Sequence, residues 1–296
     1  MKAIIEEAEV DPQAWLNDIE SRSEVKRTLC GNGQMVWHIW GEGAPIVFLH
    51  GGHGDWSHWC RNVEQIAAEG FKVIVADLPG LGASDDPGPP YTAEGIAEVV
   101  YYGITSLLPK NSEIDLVGFS FGSVIGAVVA EKLDVRLKSF NIVGAAGFGP
   151  RERIANSMVK IHKAMSEEER IAAAKNNMRW LMLAHPENVG ELAIFMQLLN
   201  TDRARTLSRP ISMTTRLLDA LPNILAPVNA VWGELDRTVE GTLESRIDML
   251  KTERPDATVE VFQDIGHWAQ FEGASLFNKW LLEKVCETPS LKNRIE

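Results

Sequence analysis

Residues 116–126 read LVGFSFGSVIG, and this stretch decides the fold. An apolar strand pattern over 114–118 runs into Ser120, framed by Gly118 and Gly122. A helical pattern over 120–132 follows at once. A plain strand-to-helix turn would read this way, and so would a turn built to lift a nucleophile. In open α/β sheets the ligand crevice lies at the C-terminal ends of the strands, where Ser120 falls. Gly-X-Ser-X-Gly at that place fits a nucleophile elbow, because the turn is sharp and the glycines let neighbouring backbone approach. The helix behind it opens with unpaired N–H groups that can face a developing oxyanion.

Working outward, strands are expected at 25–30, 34–40, 45–49, 72–76, 114–118, 137–143, 227–232 and 258–262. The first two are joined by GNG, a good hairpin turn. DPQAWLNDI gives a short opening helix, with Asp11 as cap, Pro12 at its first position, and Trp15 and Ile19 on one face. Further helices are expected at 61–69, 93–107, 120–132, 243–251 and 274–285. DLPGLGASDDPGPP, starting at Asp77, must be a loop. Short apolar strands alternating with helices predict an α/β fold, a mostly parallel eight-stranded sheet covered on both faces.

The alternation lapses over 148–223. Ser166 and Glu169 make a capping box, and Ile171, Ala174, Met178 and Met182 recur at helical spacing until Pro186. Patterns over 191–199 and 213–221 suggest two more helices. The expected organisation is a core of 1–147 and 224–296 with a helical insertion at 148–223.

The chain has 296 residues, 45% hydrophobic and 24% charged, which suffices for a well-buried core. A net charge of −12 without a basic cluster argues against nucleic acid as a partner. Cys30, Cys60 and Cys286 match no zinc module or disulfide scaffold, and a reducing compartment fits. MKAIIEEAEV is too acidic and too briefly apolar for a signal peptide, and no stretch is long enough to span a bilayer. The expectation is a cytoplasmic protein with a small-molecule partner, no cofactor and no metal. A homodimer is compatible with the sequence.

A serine hydroxyl needs a base to act as a nucleophile. Of seven histidines, His267 follows the strand TVEVF through a short loop and so shares the rim of the sheet with Ser120. His38 lies inside a strand, and His162 and His185 lie in the insertion. The base needs an orienting carboxylate. Asp236, in WGELDRTV after another strand, is again on that rim, with Glu234 and Asp264 as competitors. The chain order Ser–Asp–His suits a nucleophile elbow. HGGHG at 50–54 follows a third strand. Gly52 is the candidate donor to an oxyanion, with His53 as the second choice, and Phe121 N–H is the other donor. His50 reads as shaping this loop. His53 and His58 lack a ligand partner at zinc spacing.

FLHGGHG, DLPGLGASD, GFSFGS, WGELDRTV and DIGHWAQFE occur in the order of the α/β-hydrolases, which the chain resembles from about residue 25 to 287. The resemblance implies that the helical insertion is a cap over the pocket. Within that family, GHWAQFEGASLFNKWL and HGGHGDWSHWCRN are similar to the meta-cleavage product hydrolases. These cut a carbon–carbon bond in ring-opened aromatic dienoates with serine, histidine and aspartate. Ser120, His267 and Asp236 would take those roles, Arg179 would face a carboxylate, and Trp268 would line the pocket with His53 and Phe119. Phe119 and Phe121 stand where that group has Asn and Met.

The leading expectation is therefore a serine hydrolase that cleaves a small, fairly apolar carboxylic ester through an acyl-enzyme. A C–C bond hydrolase of ring-fission products is the alternative, and a non-catalytic small-molecule binder is the third reading.

Overall fold

The structure, a computed structural model, describes residues 11–150 and 158–289. One sheet is built from β1 (Glu24–Cys30), β2 (Gly33–Trp40), β3 (Ala44–Leu49), β4 (Phe71–Ala76), β5 (Ile114–Phe119), β6 (Leu137–Val143), β7 (Val228–Gly233) and β8 (Thr258–Phe262). The strand order is β1-β2-β4-β3-β5-β6-β7-β8. The β1–β2 hairpin and the β2–β4 pair are antiparallel, and the remaining pairs are parallel.

All six residues of β5 are buried, as are those of β7. Such strands read as continuous apolar runs because both faces of a parallel sheet are covered. Alternation still sorts the side chains between two cores. Val47 and Leu49 point into one, with Val124 and Val128 of α4 (Phe121–Leu133). Ile46 and Phe48 point into the other, with Trp59 and Phe277. α3 (Ala93–Leu107) packs beside α4, while α2 (Val63–Ala68) and the last helix, Ala274–Glu287, pack on the opposite face. α1 (Pro12–Ser21) opens the described chain, and the Asp11 carboxylate caps it by accepting from Ala14 N–H at 2.8 Å.

The cap is the helical segment 167–223, inserted between β6 and β7. It comprises α5 (Glu167–Asn177), α6 (Glu191–Arg203), α7 (Ser208–Ser212) and α8 (Arg216–Ala220). The expected boundary at 148 adjoins residues 151–157, which lie outside the described ones. Ser166 and Glu169 do form a capping box. Two expectations are corrected. The run through Met182 is not one α-helix: after Asn177 the backbone widens into a π-turn, Met178–Met182, which buries both methionines while Ile171 stays exposed. The helix expected at 213–221 starts late: 213–215 form a turn after α7, and α8 spans only Arg216–Ala220. Gly147 and Gly149 N–H groups take the Ser212 and Thr214 carbonyls across to the core, so tertiary bonds override the local helical pattern.

The register sets the strand ends level. Leu49 pairs with Gly118, Phe119 with Val143, Val143 with Val231, and Gly233 with Phe262. The loops after β3, β5, β6, β7 and β8 therefore meet on one edge. Among the described residues no helix is long and apolar enough to cross a membrane.

Candidate active site

Ser120 occupies the turn between β5 and α4 with φ 50° and ψ −110°. A serine in that region costs on the order of 1–3 kcal/mol, and it persists only where its surroundings hold it. Here Ser120 N–H donates to Val143 O at 2.9 Å, and Ala146 N–H donates to Ser120 O at 3.3 Å. The flanking glycines have a steric reason. A Cβ on Gly122 would overlap Leu49 O and lie 2.6 Å from His50 O, and one on Gly118 would lie 2.7 Å from Gly122 O. The end of β3 thus presses directly on the start of α4, locking the loop at 50–54 to the elbow.

Two further loops bring Asp236 and His267 together. Glu234 N–H donates to Phe262 O at 2.8 Å and Leu235 N–H to Ile265 O at 2.9 Å. A Cβ on Gly233 would overlap the Ile265 and Gly266 carbonyl oxygens, so only glycine lets the two backbones lie this close. Asp236, 1% exposed, spends one oxygen on Thr238 N–H at 2.8 Å and the other on His267 Nδ1 at 2.8 Å. Thr238 Oγ1 lies 3.3 Å from the same Nδ1. The carboxylate thus sets the ring's orientation and leaves Nε2 directed away from it. His267 is 3% exposed, and its ring centroid is 5.0 Å from that of Phe119, the residue before Ser120. Its Nδ1 also lies 3.0 Å from where a Gly144 Cβ would be, one residue beyond the carbonyl that holds Ser120 N–H. Among the described residues Ser120 Oγ carries no hydrogen bond to His267. Such bonds often tighten only when substrate is bound.

The competing acids are placed elsewhere. Glu234 accepts from Asp264 N–H at 3.1 Å, and Asp264 pairs with His185 at 3.0 Å. His50 is also accounted for. Its Nε2 accepts from Leu78 N–H at 2.9 Å, so Nδ1 carries the proton and donates to Gly51 O at 2.7 Å. Burial pushes its pKa down, and with both nitrogens engaged it braces the loop rather than serving as a base.

His58 is a site residue that the sequence did not single out. It is 6% exposed and sits 4.9 Å from Trp268, 5.6 Å from Phe119 and 5.9 Å from His50, centroid to centroid. Gly51 N–H donates to its Nδ1 at 3.3 Å, which places the ring proton on Nε2. Burial, then His50, His267 and His53, hold its pKa well below the ordinary histidine range. It is a neutral imidazole beside Phe119. Only its place in WSHW, directly after the glycine loop, hinted at this.

Phe119 and Phe121 are both 1% exposed and point to opposite sides, Phe119 under His58 and His267, Phe121 into the core around α4. Trp268 is buried against Phe271 at 4.1 Å, donates Nε1–H to His58 O at 3.0 Å, and takes the Met182 carbonyl of the cap on its N–H at 2.7 Å. Two candidate pocket residues are exposed at the surface: His53, at φ 52° and still near enough to His58 to act on its charge, and Arg179, on the π-turn. Glu272 is a second unanticipated residue. Its carboxylate accepts from Gly266 N–H at 2.7 Å, Ala184 N–H at 3.0 Å and Asn188 Nδ2 at 2.8 Å, tying the cap to the His267 loop. A cleft of about 320 Å³ opens behind Asp236, between Ala184, Arg237 and Glu240. Ser120 does not line it, so the loops on the strand ends mark the candidate site and this cleft does not.

A model of the alpha/beta hydrolase family matches residues 46–279. The chain belongs to the alpha/beta hydrolase family. This hydrolase is 26% identical over 250 residues to a 2-hydroxy-6-oxononadienedioate/2-hydroxy-6-oxononatrienedioate hydrolase of Burkholderia vietnamiensis, covering 80% of this chain and 85% of that one. It is also 26% identical to a 2-hydroxy-6-oxo-6-phenylhexa-2,4-dienoate hydrolase of Burkholderia cepacia, covering 82% of this chain and 88% of the relative. In three dimensions it superposes on the esterase RhEst1 of Rhodococcus sp. ECU1013 with a TM-score of 0.73 at 20% identity, covering 90% and 99% of the two chains. The protein is a serine-hydrolase-type α/β-hydrolase related to meta-cleavage product hydrolases and esterases.

Proposed function

We propose that this hydrolase cleaves a carbon–carbon bond next to a carbonyl in a ring-opened aromatic compound, with Ser120 as nucleophile, His267 as base and Asp236 as its orienting acid. The observation that carries the mechanism is the Asp236–His267 contact of 2.8 Å beside a strained Ser120. The relatives' shared chemistry supports the bond type.

His267 Nε2 takes the Ser120 proton as Oγ adds to the carbonyl carbon. The Gly52 and Phe121 N–H groups receive the oxyanion. The carbon–carbon bond then breaks, its electron pair staying on the departing carbon, which takes the proton from His267. Water, deprotonated by His267, attacks the acyl-enzyme, and Ser120 regains its proton as the carboxylic acid leaves.

Ester hydrolysis is the second reading, and the surroundings of the elbow favour it. Apolar Phe119 adjoins Ser120 with His58, its pKa lowered by burial, packed on it, and the cap arginine Arg179 is exposed. A buried carboxylate needs a paired cation or several donors. Steady-state turnover of a phenyl-substituted dienoate beside phenyl acetate separates the two. A kcat/KM at least tenfold higher for the dienoate supports C–C cleavage. A reversed preference refutes it. Turnover of both by Ser120→Ala at the wild-type rate would refute the nucleophile itself.

A further inference from the structure

The cap delivers a buried hydroxyl to the oxyanion loop. Ser208, the first residue of α7, is 4% exposed. A Cβ on Gly52 would overlap Ser208 Oγ, lie 3.0 Å from Ser208 Cβ and lie 3.7 Å from Phe121 Cβ. The hydroxyl therefore sits against Gly52, one of the two proposed oxyanion donors, on the side of Gly52 that also faces Phe121. This contact also explains why residue 52 is glycine although its φ demands nothing unusual.

The Ser208 hydroxyl makes no hydrogen bond to the described residues, and its oxygen is not fully enclosed although the residue is 4% exposed, so it opens onto free space. Buried serine hydroxyls nearly always find a partner, most often a backbone carbonyl nearby. A hydroxyl so placed is available to a ligand that enters the space it faces.

Its position is fixed from both sides. Upstream, Arg205 and Thr206 N–H groups donate to Gly80 O at 2.8 and 3.2 Å, and Thr206 Oγ1 donates to Pro79 O at 2.8 Å. The Arg205 guanidinium adds a bond to Ser84 O. Downstream, Gly147 N–H donates to Ser212 O at 3.1 Å. The strap at 204–212 is thus pinned to the core beside the elbow, so the hydroxyl is held as firmly as the loop it faces.

We infer that Ser208 is a third oxyanion donor, supplied by the cap, which hydrogen-bonds the acyl oxygen of the substrate as it gains charge on attack by Ser120. The inference rests on the nucleophilic role of Ser120 proposed above. Its consequence is that the oxyanion site is completed across the core and the cap.

The test compares wild type, Ser208→Ala and Ser208→Cys in phenyl acetate hydrolysis and in inhibition by phenylboronic acid, which forms a tetrahedral adduct on an active serine. Loss of one preorganised donor lowers kcat by about 100-fold with little change in KM. Both variants are expected to show that split. Their affinity for the boronate falls with kcat, because a tetrahedral adduct reports transition-state binding. The Cys variant keeps the volume of serine with a weak donor, so it carries the test should the Ala variant unfold. A kcat within threefold of wild type in either folded variant overturns the inference, as does a fall in kcat with unchanged boronate affinity. Ser120→Ala separates the two levels. If it is inactive while Ser208→Ala is fully active, the donor role alone has failed. If Ser120→Ala is active, the nucleophile reading has failed first.

Discussion

Replacing Asp236 by Asn tests its proposed role in orienting His267 with the least steric change. The carboxylate has two acceptor oxygens, and both are used: one by Thr238 N–H and one by His267 Nδ1, each at 2.8 Å. Asn offers one acceptor and one donor. If its oxygen stays with Thr238, its NH2 faces Nδ1, which must then give up its proton and leave Nε2 protonated. That tautomer cannot accept from Ser120. If the amide turns the other way, it sets two N–H groups against each other at Thr238 inside a buried site. That orientation keeps the productive tautomer, but the buried donors left unsatisfied at Thr238 disfavour it by about 1–3 kcal/mol. The charge that stabilises the imidazolium is lost in either case. A wrong tautomer of this kind lowers kcat by about 10⁴-fold, equivalent to about 5.4 kcal/mol in the transition state. The assay is burst and steady-state release from an activated phenyl ester, with thermal unfolding alongside to confirm an intact fold. Asp236→Asn that retains a tenth of wild-type kcat would refute the assignment, and Glu234→Gln tested in parallel is expected to stay within threefold.

Three further outcomes are expected. Gly122→Ala drives a methyl into the Leu49 and His50 carbonyl oxygens; overpacking of this kind costs about 1–3 kcal/mol, read as a lower midpoint in urea unfolding, and unchanged stability would contradict the packing. Glu272→Gln leaves one acceptor oxygen for the Gly266, Ala184 and Asn188 donors; losing charge-assisted bonds costs roughly 1.5–3 kcal/mol, and limited proteolysis should cut the cap segment faster than in wild type. Burial and neighbouring imidazoles lower the His58 pKa from 6.5, so below that value the unfolded chain binds a proton that the native state refuses. Stability then falls as pH falls through about 6.5, and His58→Gln should flatten part of that slope in melting curves from pH 7 to 5; an identical slope would remove His58 as a contributor.

The strands and the elbow were legible because their signals are local. An apolar run of five or six residues ending in Gly-X-Ser-X-Gly carries its own meaning, and the β3, β5, β7 and β8 patterns each end on a loop that bears Gly52, Ser120, Asp236 or His267. Parallel pairing in register then puts those loops on one edge without further information. The cap was less legible for the opposite reason. Its π-turn at Met178–Met182 and the turn at 213–215 follow from tertiary contacts, such as Trp268 N–H on Met182 O, which no local pattern encodes. His58, Glu272 and Ser208 escaped for the same reason: each acts across more than 80 residues of chain, or through a neighbour that only the folded sheet supplies.

The two phenylalanines of the elbow divide the labour between reaction and selection. Phe121 turns into the core around α4, so its contribution to chemistry reduces to its N–H group. Phe119 turns the other way and forms a layer with His58, Trp59 and His267. A side chain there that hydrogen-bonded substrate would have to displace that aromatic layer. The relatives act on dienoates whose carboxylates are charged at neutral pH. In this chain Phe119 brings no polar group to the elbow, and His58 is held neutral beside it. Among the described residues the Nε2–H of His58 is one donor on that side, suited to a neutral carbonyl oxygen as well as to a carboxylate. In the proposed mechanism the Phe121 N–H and the Phe119 ring thus lie on opposite sides of Ser120. Phe119→Asn should consequently change the ratio of dienoate to ester turnover far more than it changes the rate of acylation by an activated ester.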